Sequence, residues 1–256
     1  MKHNNFIKIS DSLIKHEVIT SEEKFTYAVI RANNPTGSAT VSIVNLLKQM
    51  GMNHSDSRNK SKMRGFVTNL ETYQFIEVYE DQAEMCRIEA SKMKPSTLYF
   101  IKMVEPNKGG YFTMFDVDII KKFMTLDKKK KFGVFSVYAS IVSPIFESES
   151  SCKVSWISQG TIQFETGISD KTVSKYIYIL KDELNVIDFR KMRFTAKKQI
   201  KGKSISKTHN FYWRVGDSAK SIFIYIQDAM DKLGYSNETH YIQVLDRNNN
   251  PINEVE

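Results

Sequence analysis

The sequence is poor in the residues that staple, ligate or cradle. Its 256 residues hold only two cysteines, Cys86 and Cys152, far apart and without a Cys-x-x-Cys pair. A disulfide framework and a cysteine zinc site are thereby excluded, and a reducing compartment is the default. The five histidines, His3, His16, His54, His209 and His240, are scattered with no His-x-His pair. Neither a Walker-type loop nor a Gly-x-Gly-x-x-Gly turn occurs. Asp116 and Asp118 form a close acidic pair, but their place at a strand–helix start suits a surface and a capping role. No metal, no cofactor and no catalytic constellation is therefore expected. The most apolar long stretch, Phe132 to Phe146, is too short for a membrane span and is interrupted by Ser136, Ser140, Ser143 and Pro144. It reads as a buried helix ending before Pro144. The opening Met1-Lys2-His3-Asn4-Asn5 lacks an apolar signal core, so no membrane association and a cytoplasmic location are expected.

What remains is a core-forming, basic chain. Hydrophobic residues make up 41% and charged residues 26%, enough for each half to bury a core. Lys and Arg number 37 against 29 Asp and Glu, a net charge of +8 that favours a polyanionic partner. The charge is concentrated. Arg190, Lys191, Arg193, Lys197, Lys198, Lys201, Lys203, Lys207 and Arg214 follow one another with no acid between them.

A weak internal repeat organises the chain. Phe6 to Lys15 lines up with Phe112 to Lys121, each reading as a short strand followed by a short helix. A helix with a polar start comes next in each copy: Ser21 to Asn34, and Asp127 to Val142, with Ser21 and Asp127 as N-caps. Third segments follow. Ala39 to Met50 carries Val41, Val44, Leu46 and Leu47 and is ended by Gly51. Trp156 to Thr166 carries Ile157, Ile162 and Phe164 and is ended by Gly167. A fourth, longer helix runs over Ser55 to Tyr73 and Ser169 to Leu184, each leading into a β-rich stretch, Phe75 to Tyr79 and Val186 to Arg190.

The segment Gly167 to Leu180 carries the chemistry. Ser169 is placed to cap a helix whose Val173, Tyr176, Ile177 and Leu180 face the core. Lys171, Thr172, Ser174, Lys175 and Tyr178 are left on the opposite side. Short hydroxyl side chains let a helix approach base edges in a major groove, and lysines reach phosphates. Val186 to Phe189 and His209 to Val215 read as two strands of a hairpin, with the basic run between them and Gly202 at its turn. In the first copy the corresponding helix holds Ser57, Arg58, Asn59, Lys60, Ser61, Lys62 and Arg64, backed by Met63, Phe66, Val67 and Leu70. Its hairpin, Tyr79 to Glu89, contains Glu80, Asp81 and Glu84 and should not hug phosphates.

This stretch, with Leu184-Asn185-Val186-Ile187, resembles the winged helix-turn-helix superfamily. The resemblance implies a recognition helix followed by a wing. The implied fold class is α+β: two winged-helix domains in tandem, 1–105 and 106–216, with a C-terminal helix and tail over 217–256. The implied DNA-binding residues are Ser57, Arg58, Asn59, Lys60, Lys62, Arg64, Ser169, Lys171, Thr172, Ser174, Lys175 and Tyr178 on the helices. On the wing they are Lys191, Arg193, Lys197, Lys198, Lys201, Lys203 and Lys207. In architecture the chain resembles replication initiators of plasmids and phages from low-GC bacteria. That likeness implies double-stranded DNA as partner, repeated origin sites, a host helicase or helicase loader, and scope for a homodimer. A transcriptional repressor of a mobile element has the same layout, and a partition or architectural DNA-coating protein is a third reading. The C-terminal helix, Ser218 to Leu233, carries the stripe Ile222, Ile226, Ala229, Met230 and Leu233, capped by Asp217 or Ser218 and ended by Gly234. It suits either packing on the second unit or a dimer contact. Asn248 to Pro251 and the acidic end are expected to fray.

Overall fold

A computed structural model describes residues 5–35, 37–104, 110–145, 153–199, 203–216 and 219–252. Cys152, Lys201, Gly202 and the expected caps Asp217 and Ser218 lie outside the described residues. The chain is mixed α+β. It divides into two compact units, Met1–Ser143 with Glu165–Ile168, and Pro144–Phe164 with Ser169–Glu256. This differs from the expected boundary after residue 105, because the start of the second copy is built into the first unit.

The reason is the repeat itself. Strand β1 (Phe6–Ser10) leads into helix α1 (Asp11–Ile14), and β6 (Phe112–Asp116) into α5 (Val117–Thr125). β1 and β6 pair antiparallel, Phe6 opposite Asp116 and Ser10 opposite Phe112, with the aligned residues Lys8 and Met114 facing at the centre. The bonds beyond the ladder are reciprocal too: Asp11 N–H donates to Tyr111 O (3.0 Å) and Val117 N–H to Asn5 O (2.9 Å). The second helices are α2 (Ser21–Asn33) and α6 (Lys131–Val142). α1 packs on α6, α2 on α5, and α2 on α6. The duplicated segments thus meet as the two halves of an isologous contact. Phe25 and Phe135 lie 5.2 Å apart, Phe115 and Phe135 5.8 Å, and Phe123 and Tyr138 5.3 Å. α6 is apolar all round and accordingly buried along its length.

Local chemistry shifts several expected boundaries. The cap of α2 is Thr20 instead of Ser21: the Glu23 N–H donates to Thr20 Oγ1, and the Thr20 N–H donates to the Glu23 carboxylate, a capping box. Asp127 caps a turn ahead of α6, accepting from Lys129 N–H at 2.8 Å, and the helix proper starts at Lys131. The segment from Ala39 is not helical throughout. Ala39–Val41 form β2, paired with β5 (Tyr99–Met103), and Ser42 then caps α3 (Ile43–Gln49). Gly51 follows α3 at φ +61°, where an L side chain would be strained. Helix α4 (Ser57–Thr72), capped by Asp56, leads to β3 (Ile76–Tyr79) and β4 (Arg87–Ile88). The sheet order is β2-β5-β3-β4.

Helix α7 starts at Gln159 and runs to Thr166. Of its expected core residues only Ile162 is buried; Ile157 precedes the helix and Phe164 is 73% exposed. Helix α8 (Asp170–Tyr178) continues as a π-turn, Ile179–Glu183. Strands β7 (Ile187–Ala196) and β8 (Ser206–Arg214) are longer than expected and absorb much of the basic run. Helix α9 (Ala219–Lys232) follows, then β9 (His240–Leu245), and the sheet order is β8-β7-β9. Ser155 bridges Tyr212 on the outer side of β8. The stripe of α9 joins Met192, Phe194, Phe211 and Tyr235 in one core, with Leu233 partly buried beside it. The expected fraying of Asn248 to Pro251 is corrected, since Asp246 N–H donates to Asn250 O and Ile252 N–H to Val244 O, both at 2.8 Å, beside a β9 that pairs with β7 over six residues; the acidic end lies outside the described residues.

Candidate nucleic-acid interface

Helix α4 presents Ser57, Arg58, Ser61 and Lys62 as exposed side chains, with Lys60 half-buried. Its buried back is Met63, Phe66, Val67 and Leu70, as expected. Two expected reading residues are engaged within the fold instead. Asn59 Nδ2 donates to Asn53 O (2.9 Å), fixing the turn before the helix. Arg64 Nε donates to Met93 O (2.9 Å), tying α4 to the turn that follows β4. Lys62 leans on the Phe66 ring and toward Glu22 at 3.5 Å, a pair exposed enough to contribute little. The helix is braced from behind by Glu23, whose Oε1 accepts from Asn69 Nδ2 at 2.6 Å. The acids of the adjoining hairpin are partly matched, Glu77 by Arg87 and Glu84 by Lys102.

On α8, Lys171 and Lys175 are exposed, and Thr172 and Ser174 half-exposed. Ser169 occupies the cap position, yet its hydroxyl pairs with Thr172 Oγ1 (2.9 Å) and makes no bond to the helix backbone. Tyr178 is drawn away from the outward face. Its ring meets Phe189 at 5.6 Å and carries the Arg247 guanidinium at 4.2 Å. Val173, Ile177 and Leu180 are buried and Tyr176 half-buried.

The wing residues divide by strand register. Lys191 lies opposite Asn210, and Arg193 opposite Thr208, on the sheet face away from α9. Lys207 is opposite Phe194 and so shares the α9 face, exposed near the strand start. Lys197 Nζ donates to Asn237 O and lies over the Tyr241 ring, which ties it to the chain before β9. Lys198 and Lys203 are exposed. The expected free basic hairpin is therefore a three-stranded sheet, with one face covered by α9 and the other polar. The polar face also brings forward Gln159, Asn210, Arg247 and Asn249, which the sequence reading passed over. The signal for Asn210 was the alternation Thr208, Asn210, Tyr212 opposite Phe211; Arg247 and Asn249 depend on β9, which was not foreseen.

Among the described residues no group of three or more His, Cys, Asp or Glu side chains gathers to hold a metal ion. No helix among them is long and apolar enough to cross a membrane. No protein-family model matches the sequence, and no curated protein matches it either.

Proposed function

We propose that the chain is a sequence-specific double-stranded DNA-binding protein made of two winged-helix units, and that it initiates replication of a plasmid or phage. The observation that carries the reading is a repeated order of elements with a repeated sheet order. Along the chain, α2, β2, α3, α4, β3 and β5 are matched by α6, Ser155, α7, α8, β7 and β8. The first sheet is ordered β2-β5-β3; the second places Ser155 beside β8, and β8 beside β7. A helix pair, a longer third helix and a hairpin returning next to a short first strand is the winged-helix plan, which sets the third helix in a major groove. The exposed Arg58 and Ser61 of α4, and Lys171 and Lys175 of α8, suit base and phosphate contact there.

The replication role rests on the architectural resemblance to initiators. It is tested by selecting bound fragments from the genetic element that encodes the protein. Directly repeated sites beside an AT-rich region are expected. An operator overlapping a promoter would make the protein a repressor, and length-dependent coating without preferred sites would make it an architectural protein.

A further inference from the structure

We infer that the cleft between α8 and the open face of the β8-β7-β9 sheet receives a phosphodiester strand of the bound DNA. Lys191, Arg193 and Arg247 are its cations, and Gln159, Asn210 and Asn249 its neutral hydrogen-bonding walls. The inference rests on the DNA-binding reading above and names the part of the DNA that this face takes.

Register supplies the floor. Met192, Phe194 and Phe211 point into the core under α9, so their neighbours Lys191, Arg193 and Asn210 point the other way. Two adjoining recesses of about 530 and 240 Å³ open on that side and share Gln159, Lys191, Asn210 and Asn249. No carboxylate lines either recess among the described residues; Asp188 and Asp246 line the next recess along the sheet, which shares Lys191 and Arg247, and Asp188 is paired there with Lys181. Asp246, close by, is engaged by its own turn, accepting from the N–H groups of Asn248 (2.8 Å) and Asn250 (2.7 Å). The far wall is held in place: Arg193 donates to Asn249 O at 3.1 Å, and Arg247 stacks on Tyr178 and pairs with Asp182. Lys191 makes no ion pair among the described residues, though its charge is felt by Asp246, whose carboxyl it helps to hold below the usual range.

Topology then selects the occupant. With α8 in a major groove and the hairpin reaching toward the neighbouring minor groove, the backbone strand dividing the two grooves must pass between helix and sheet. Cations with amide and hydroxyl donors around them are the usual company of a DNA phosphate. The segment after β9 is thereby part of the DNA-binding surface.

The test uses the full chain and a mixed-sequence duplex of about 30 base pairs, titrated by fluorescence anisotropy between about 50 and 200 mM salt. Lys191→Gln and Arg247→Gln should each flatten the slope of log K against log salt by about 0.9. Asn210→Ala should weaken binding several-fold with the slope unchanged, since a neutral donor releases no counterion. Lys92→Gln, an exposed lysine paired with Glu89 in the first unit, serves as control and should leave the slope as it was. If both cation variants keep the circular dichroism spectrum and the wild-type slope, the cleft is not the phosphate site, and the DNA-binding reading stands without it. If the wild-type chain does not bind the duplex at the lowest salt, reading and cleft fall together. Should Lys191→Gln not fold, the exposed Arg247→Gln decides the matter alone.

Discussion

Lys131 offers a sharp test of what holds the first unit together. Its side chain is only 2% exposed, at the start of α6. The ammonium donates to Met50 O at 3.0 Å and to Met124 O at 2.7 Å. Met50 is the C-terminal cap of α3, and Met124 lies in the last turn of α5. Helix C-termini leave carbonyls without intrahelical donors and carry the negative end of the helix dipole. One buried cation therefore satisfies two helix ends, while its burial pulls the lysine below its ordinary pKa and nearby Asp127 opposes the fall. Lys131→Met keeps the apolar stem and removes the charge. One buried and one partly buried acceptor lose their donor, at about 1–3 kcal/mol each. Relief from burying an ammonium offsets part of this, leaving a net loss of about 3 kcal/mol. Lys131→Ala also removes three methylenes, about 0.8 kcal/mol apiece, for a total near 5 kcal/mol. At roughly 2–4 °C per kcal/mol, the methionine variant should melt about 10 °C lower. Thermal and urea unfolding followed by circular dichroism measure both variants. A methionine variant as stable as the wild type would refute the reasoning, since it would mean that the ammonium contributes nothing net to joining α3 and α5.

Three further outcomes are expected. With about six phosphates contacted, log K for duplex DNA against log salt should have a slope near −5; a slope near zero would remove the electrostatic basis of the DNA reading. Lys175→Ala should lose about 1–3 kcal/mol of discrimination at one or two base pairs, whereas Arg64→Ala, which loses the bond to Met93 O, should lower the melting temperature and leave sequence preference alone; a competition assay giving the reverse would exchange their roles. Burial holds Lys24 down at about 8 from 10.5, so between about pH 8 and 10.5 the unfolded chain binds the proton that the folded chain has shed. Stability from this group is then full above pH 10.5 and is lost as pH falls through about 8. Urea midpoints of the wild type should carry that rise and those of Lys24→Met should lack it; equal slopes in the two proteins would show that Lys24 is not the titrating group.

The parts of the fold that were legible are those written in neighbouring residues. β1 with α1, and β6 with α5, follow from a repeat visible by eye. α4 and α8 follow from an apolar back at helical spacing. Apart from caps misplaced by a residue or a turn, as at Thr20 and Lys131, the misses are long-range. Ala39–Val41 reads as the first turn of a helix until Tyr99–Met103 returns to pair with it. β7 continues through Lys191 and Arg193 because Met192 and Phe194 face a core completed by α9, which lies beyond the hairpin. β9 is an edge strand whose alternation, Ile242 and Val244 against Tyr241 and Gln243, has meaning only beside β7. The outward face of α8 was legible for Lys171 and Lys175 but not for Tyr178, since the aromatic ring of Phe189 competes for it. Asn59 and Arg64 show the same limit. Their residue types suit base edges, and only the positions of the Asn53 and Met93 carbonyls determine that they bond to the protein's own backbone.

The reciprocal seam between β1 and β6 has a consequence for how the protein responds to dilution. Two identical subunits meeting across such a contact separate as concentration falls, and every substitution in the contact is made twice. Here the halves are covalently joined, so the seam closes as an intramolecular event at an effective concentration set by the connecting chain. It cannot be titrated apart, and either half can change without its counterpart. Lys8 and Met114, which face each other at the centre of the seam, are one such unlike pair.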